Sequence, residues 1–564
     1  MRKITGFDLL HEILFLSPTE NSAMTELVHE LIASCVEGGG DQPALRYKDE
    51  VLDYSRLWQM VQQVASGLLA TGIASGERVA VYLPKQIETV AALFGASCAG
   101  ACFVPINPLL KPRQVSYILE HCHARVLITS AQRLQILSGE IGHWQSVHTF
   151  VVVGDLADGG AVDIVEHNPA RQIVPWAALA DAAYRRGHRR IDGDMAAILY
   201  TSGSTGNPKG VVLSHRNIVA GARSVAQYLH NTSSDRILAV LPLSFDAGLS
   251  QVTTAFSVGA SVVLMDYLLP QDVLRAVVQY RITGLAAVPP LWNQLIQTSW
   301  PEEVSDCLRY ITNTGGAMPE KTTRTLAQRL PRTDIFLMYG LTEAFRSTYL
   351  PPDQVALRPR SIGKAIPNAE ILVVNESGQV CGPHEPGELV HRGVLVALGY
   401  WNDREKTAER FRPCPGQDAN LPVPELAVWS GDQVIMDDDG YLYFVSRKDD
   451  MIKTSGYRVS PTEIEEVAYA SGAVAAAVAM GIPHDQLGQA IFLIVTPADA
   501  DVADADAVVN ALASCCQKEL PSYMQPGKII VRQAMPHNQN GKIDRRALAA
   551  EYLPPVLHHD RIAP

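Results

Sequence analysis

The sequence predicts an α/β protein in which a large N-terminal domain of doubly wound sheets carries a small β-rich subdomain, and a smaller α+β domain ends the chain. Three observations predict it. Short apolar runs alternate with helix-length segments through the first half. From about residue 369 strands follow one another with close turns. After residue 450 helices and strands mix again, as in a separate unit.

The elements follow in order. Arg78–Pro84 is a short apolar run, a buried strand. Ile87–Ala99 then reads as helix, Ala101–Ile106 as strand, Arg113–Cys122 as helix and Val126–Thr129 as strand. Ile237–Leu241 and Ser261–Met265 repeat the pattern, which implies parallel sheets. The polar, Gly-containing stretch Asp155–Ile173 reads as a surface excursion. Ala369–Val374, Gly387–His391 and Tyr441–Val445 are the closely spaced strands. Asp437-Asp438-Asp439-Gly440 is a strong turn, and a boundary is expected at 446–450. The division is therefore 1–446, a hinge at 447–450, and 451–564. In the last part Glu463–Ala470 and Asp506–Glu519 read as helices, with Val474–Met480 and Ala490–Thr496 as strands.

Composition narrows the function. The 564 residues allow about three to five domain-sized units. With 47 basic and 59 acidic residues the net charge is −12, which gives no overall attraction for nucleic acid or an anionic membrane. No apolar stretch is long enough to span a bilayer, and His11 and Glu12 interrupt what would be a signal-peptide core. The nine cysteines are scattered without a Cys-x-x-Cys, which fits a reducing, cytoplasmic location.

The chemistry concentrates in a few stretches. Leu199–His215 holds an apolar strand, a loop Thr201-Ser202-Gly203-Ser204-Thr205-Gly206-Asn207-Pro208-Lys209, and a second strand. Glycines let backbone N–H groups approach an anion and hydroxyls add donors, so the loop is a phosphate cradle. It is not a Walker A loop, because Pro208 precedes the lysine and Gly210 follows it.

This string resembles the signature of the adenylate-forming superfamily, which comprises acyl-CoA synthetases, adenylation domains of peptide synthetases and luciferase-like enzymes. Further stretches resemble its other motifs in the same order. Thr314-Gly315-Gly316-Ala317 resembles the turn beside adenine. Tyr339-Gly340-Leu341-Thr342-Glu343 resembles the stretch in which the tyrosine stacks on adenine, the threonine meets the α-phosphate and the glutamate holds Mg²⁺. Ser430-Gly431-Asp432 resembles the Thr-Gly-Asp triplet that binds ribose, with Ser replacing Thr. Ser446-Arg447-Lys448-Asp449 resembles the hinge, with Ser446 for Gly, Arg447 toward ribose or phosphate and Asp449 as pivot. Ile452–Val459, with Gly456, resembles the hairpin facing the thiol channel. Asn540–Arg545 resembles the closing loop with the catalytic lysine, Lys542. The resemblance implies ATP and Mg²⁺ as cofactors, and a mobile C-terminal lid that turns about Asp449 between two half-reactions.

The acid side is read from Leu241–Gly248. Acyl-CoA synthetases often carry His or another aromatic where Phe245 stands. Amino-acid-activating domains carry Phe-Asp-x-Ser, whose aspartate binds the α-ammonium; Asp246 fits and Gly248 departs. Arg346 could instead be the counter-ion of Asp246. By family position Trp292, Thr312, Thr314, Met338, Arg346 and Lys542 border the pocket. The run Glu343–Pro352 resembles a subgroup of stand-alone ligases, among them ones associated with exosortase loci and ones that load proline onto carrier proteins. The expected substrate is a small amino acid such as proline or glycine. Because 22 residues follow Lys542, too few for a folded carrier, the thiol is expected in trans, from the phosphopantetheine of a free-standing carrier protein or from coenzyme A. The alternative is an acyl-CoA synthetase for a short or medium acid. A luciferase-like oxygenase and a non-catalytic binding module are the other readings. Retention of Thr205, Lys209, Glu343, Asp432, Arg447 and Lys542 opposes the latter.

Overall fold

Strands buried on both faces fix the architecture. In Arg78–Tyr82 the side chains of Val79 and Val81 enter one hydrophobic cluster and those of Ala80 and Tyr82 another. Such a strand needs cover on both sides, which flanking helices supply. The computed structural model describes residues 25–155, 165, 168–201, 208–418, 420–447, 452–454, 457–484, 487–499, 504–520, 522–538 and 541–552. Among these residues the strands form three sheets of eight, fourteen and five strands.

The eight-stranded sheet is mostly parallel. Its inner order runs Met195–Thr201, Cys102–Pro105, Arg78–Tyr82, Ala124–Ser130, Thr149–Val153 and Gln172–Pro175. The helix Ile87–Ala99 has almost every residue buried and ends on Gly100 in the left-handed region. The stretch read as a surface excursion ends in a strand, because Gln172–Pro175 pairs in parallel with Thr149–Val152. Most of its earlier part lies outside the described residues. At the other edge Met195–Thr201 and Lys209–Ser214 form an antiparallel hairpin, and the two-residue strand Gly399–Tyr400 extends it.

The fourteen-stranded sheet joins two regions that the sequence separates. Its parallel part runs Pro43–Tyr47, Ser261–Leu264, Arg236–Ala239, Gly284–Ala287, Tyr310–Asn313 and Asp334–Tyr339. Thr348–Leu350 and Ser361–Ala365 then continue it antiparallel into the β-rich strands Leu442–Arg447, Leu426–Met436, Gly387–Gly393 and Ala369–Val374. One core cluster combines Val79, Val126 and Val151 of the first sheet with Leu45, Ile237 and Val262 of the second, through Val61, Phe94, Val252 and Phe256 of helices. Lys85 ties the two sheets as well: its buried ammonium donates to the carbonyls of Ala239 and Met265 at 2.9 and 2.7 Å. Burial lowers its pKa to about 8 despite Asp266 at 3.3 Å.

The five-stranded sheet holds Ile452–Thr454, Tyr457–Val459, Val474–His484, Gly488–Pro497 and Lys528–Val531, with helices Pro461–Ser471 and Ala505–Glu519 packed on it. The two helices and the strands Val474–His484 and Gly488–Pro497 sit where the sequence places them, extended by a few residues, whereas Lys528–Val531 is a strand the sequence reading does not include. Among the described residues no helix is long and apolar enough to cross a membrane.

Two buried histidines give the fold a pH dependence. His215 Nδ1 accepts from the Val28 backbone N–H at 3.1 Å, and His391 Nδ1 lies 2.9 Å from Ser347 Oγ. Burial pushes both pKa values down to about 3, so both rings are neutral when folded. The unfolded chain takes up protons near pH 6.5. Stability is therefore fully present above that pH and falls as pH drops toward 3, by up to about 1.4 kcal/mol per pH unit for each ring. Thermal midpoints measured between about pH 7.5 and 5 should fall steeply, and less steeply for His391→Asn.

Candidate active site

Three adjacent parallel strands end side by side, and the loops that follow them build the site, as expected for an open α/β sheet. Gly284–Ala287 leads to Val288, Tyr310–Asn313 to Thr314–Ala317, and Asp334–Tyr339 to Gly340–Glu343. Asn313 Nδ2 donates to the Gly316 carbonyl at 2.9 Å and holds the second turn, with Gly316 and Ala317 exposed.

Thr342–Ala344 is one 3₁₀ turn, and then the chain reverses sharply. Phe345 has φ 56° and ψ −48°, and the Arg346 N–H donates to the Ala344 carbonyl at 2.6 Å. This is a γ-turn of the strained, positive-φ kind. The phenyl ring is fully buried and packs where a side chain on Gly221 would stand, 2.5 Å from its position. The turn sends Glu343 and Arg346 to different partners.

Glu343 Oε1 accepts the Tyr400 hydroxyl at 2.5 Å and lies 3.9 Å from Arg410 Nε. The Ala397 N–H donates to the Glu343 carbonyl at 2.9 Å. The Lys209 ammonium sits 5.2 Å above the Tyr400 ring, and burial lowers the lysine's pKa. Tyr400 thus joins the exit of the phosphate loop to Glu343. A cleft of about 140 Å³ borders this point, lined by Tyr117, His121, Lys209, Tyr400, Trp401 and Lys406. A larger one of about 420 Å³ beside it, lined by Ser116, Tyr117, Glu120, His121, His123 and Asn402, includes no residue that the sequence assigns to the site.

On the nucleotide side the Tyr339 hydroxyl donates to Asp432 Oδ2 at 2.5 Å. Ser430 does what threonine would do, its Oγ accepting from the Asp432 N–H at 3.0 Å. Arg447 lies opposite Asp432 in the antiparallel ladder. On the acid side Arg346 Nη1 donates to Thr314 Oγ1 at 2.9 Å. Asp246 opens the helix Asp246–Phe256 behind Phe245. Its carboxyl is pushed up by burial and drawn back by the charges of Arg346 and then Lys542. Trp292 Nε1 donates to the Thr312 carbonyl at 3.2 Å, and the sulfur of Met338 accepts from Tyr228 at 3.4 Å. Lys542 reaches in from the C-terminal part, with its Nζ 5.4 Å from the centre of the Phe245 ring. Its Cε lies 2.9 Å from where a side chain on Gly315 would begin, and Gly315 has φ +82°.

The structure thus brings together Gly315, Tyr339, Thr342, Glu343, Asp432, Phe245, Asp246, Thr314, Arg346 and Lys542. Ser202, Gly203, Ser204, Thr205, Gly206, Asp449 and Gly456 lie outside the described residues. Asp246 and Arg346 form no ion pair within 4 Å among the described residues. Sequence reasoning missed Tyr400 and Arg410. The Gly399-Tyr400-Trp401 run was the available signal, but its tie to Glu343 spans 57 residues.

A family model described as AMP-binding enzyme matches residues 33–401, and one described as AMP-binding enzyme C-terminal domain matches 463–542. The chain belongs to the AMP-binding enzyme family. It is an AMP-forming ligase that adenylates an acyl or amino acid. A long-chain-fatty-acid–CoA ligase of Salmonella typhimurium is 29% identical over 549 residues, covering 93% of this chain and 94% of that protein. Gramicidin S synthase 2 of Brevibacillus brevis is 29% identical over 546 residues, 94% of this chain but 11% of that much longer protein. An anthranilate–CoA ligase solved with anthranoyl-AMP shares the fold at a TM-score of 0.81 and 24% identity, covering 93% of this chain and 97% of that one.

Within this AMP-binding enzyme, packing accounts for Gly248 in place of the amino-acid-activating serine. A side chain there would start 1.9 Å from the Pro242 carbonyl oxygen, less than any contact allows. Gly248→Ser should therefore destabilise the protein by about 1–3 kcal/mol or more rather than restore a family feature, as read from a lowered thermal midpoint.

Proposed function

We propose that the enzyme activates a small amino acid, such as proline or glycine, with ATP and passes it to the phosphopantetheine thiol of a free-standing carrier protein. The chain would divide into an N-terminal domain, 1–446, a hinge at 447–450 pivoting on Asp449, and a lid, 451–564. In the first step a carboxylate oxygen of the acid attacks the α-phosphorus and the bond to pyrophosphate breaks. In the second the thiol sulfur attacks the adenylate carbonyl, AMP leaves with the electrons of the C–O bond, and the thiol proton passes to solvent.

Two anions must meet in the first step, so the groups that matter are positive or donating and placed in advance. Thr201, Ser202, Gly203, Ser204, Thr205, Gly206 and Lys209 would hold the β- and γ-phosphates. Gly315, Gly316, Ala317, Tyr339 and Gly340 would border adenine, and Asp432 and Arg447 the ribose. Thr342 would meet the α-phosphate, and Lys542 both that phosphate and the acid. Glu343 suits Mg²⁺, an ion that takes one or two protein carboxylates and fills its shell with water and phosphate oxygens. Its Oε1 is steadied by Tyr400. When bound, the ion offsets phosphate charge.

The observation that carries the amino acid reading is the state of Asp246. The residue is about 5% exposed, its Oδ1 has no hydrogen-bond partner among the described residues, and burial opposes its ionisation. An α-ammonium supplies the missing donor and charge, which a plain acid does not. The second reading, an acyl-CoA synthetase for a short or medium acid with coenzyme A as acceptor, is favoured by Gly248 in place of serine and by the fatty-acid–CoA ligase relative.

Pyrophosphate exchange over amino acids and their deaminated counterparts separates the two. Asp246→Ala should lower amino acid activation about 10²-fold or more, since it strands a buried charge, and affect the deaminated acids much less. Equal losses would remove the ammonium role.

The two faces of the lid should separate as well. Lys542→Ala should abolish exchange yet still convert supplied acyl-adenylate to thioester, because charge builds at the α-phosphate only in the first step. Gly456→Leu should keep exchange and lose thioester formation, because a side chain would block the pantetheine arm. A folded, ATP-binding variant that loses both halves contradicts the two-stance lid.

A further inference from the structure

Among the described residues three side-chain polar atoms on the acid side are buried with no hydrogen-bond partner, Asp246 Oδ1, Arg346 Nε and Ser244 Oγ, and the first two are of opposite kinds. Asp246 Oδ1 is an acceptor and Arg346 Nε is a donor. Both residues are about 5% exposed. Each raises the question of what completes it, because buried polar atoms in native proteins are nearly always satisfied.

Arg346 is held rather than loose. Its Nη1 donates to Thr314 Oγ1 at 2.9 Å, and its backbone N–H closes the γ-turn on Ala344. Backbone strain of that kind persists where the surroundings over-determine it, which is at functional sites. The guanidinium is planar and its donors are fixed, so with Nη1 committed to Thr314 the direction of Nε–H is set. Its charge also acts on Asp246 and on Tyr228, the tyrosine that bonds Met338, so it stands among the pocket residues.

An amino acid with an apolar side chain would not complete this arrangement. Its ammonium would satisfy Asp246 and its reacting carboxylate belongs with Lys542, which leaves Arg346 Nε buried and unmatched. We propose that Arg346 is a specificity-determining residue that donates from Nε to a hydrogen-bond acceptor on the side chain of the acid, a hydroxyl, amide carbonyl or second carboxylate. The substrate class narrows to polar amino acids, with the ammonium on Asp246 and the side-chain acceptor on Arg346. The inference rests on the amino acid reading above and replaces proline and glycine with polar members of the same class.

The test is pyrophosphate exchange by the full chain, wild type beside Arg346→Met and Arg346→Lys, each checked for folding and ATP binding by calorimetry. The panel is the protein amino acids plus 4-hydroxyproline, compared as matched pairs: serine with alanine, threonine with valine, hydroxyproline with proline. A second set uses the deaminated acids, such as 3-hydroxypropionate with propionate. The wild type should favour the acceptor-bearing member of its best pair by about 10²-fold or more in kcat/KM, since a site built to bond a group rejects the analogue lacking it. Arg346→Met should bring that ratio to within about tenfold and Arg346→Lys should keep part of it. A merely structural role, or a role on the reacting carboxylate, would lower both members alike and leave the ratio unchanged, which overturns the proposal. So does a wild type that prefers apolar members or supports exchange with no polar amino acid. If only the deaminated set reacts, the ammonium reading fails, and the ratio within that set still decides the role of Arg346.

Discussion

A single strained turn divides the labour of this site. At Phe345 the chain takes a positive φ that a bulky residue adopts only under constraint, and the constraint is burial of its ring against Gly221. The turn lets Glu343 reach Tyr400 and Arg346, three residues on, reach Thr314. A continuing helix would place both, three residues apart, on one face. The bend at Phe345 therefore lets one short loop hold a carboxylate and a guanidinium in two separate environments.

The phosphate side is assembled across the two large sheets rather than within one. The hairpin that carries the phosphate loop belongs to the eight-stranded sheet, whereas Glu343 follows a strand of the fourteen-stranded sheet. Tyr400 is where they meet: its backbone pairs with Val211 beside the loop, its hydroxyl reaches Glu343, and its ring lies under Lys209. A shift of one sheet against the other would break this set of contacts together. Lys85 and the shared helical core resist such a shift from behind.

Much of this is legible in the sequence, and the reasons are physical. The helix Ile87–Ala99 is bounded by its apolar run and by Gly100. The loop Thr201–Lys209, the turn Thr314–Ala317 and the triplet Ser430–Asp432 stand out because each keeps its own local composition. Contacts set by strand order cannot. The bond from Tyr339 to Asp432 spans 93 residues and depends on how the strands from Asp334 to Arg447 lie beside one another. By sequence Arg346 is a candidate counter-ion for Asp246; the turn and Thr314, which direct it elsewhere, are features of three-dimensional packing. The same holds for Gly248, a departure by pattern and a necessity by contact with Pro242.

Gly315 has a consequence for how the C-terminal part meets the rest of the chain. Lys542 enters over a position where the chain carries no side chain and where a left-handed backbone already favours glycine. The end of the lysine thus occupies space that a side chain at 315 would fill. The Phe245 ring stands beside that recess, its centre 5.4 Å from the ammonium. A side chain at 315 would meet the end of that lysine and strain the left-handed turn, so this one backbone position sets how near the C-terminal part comes to the larger body.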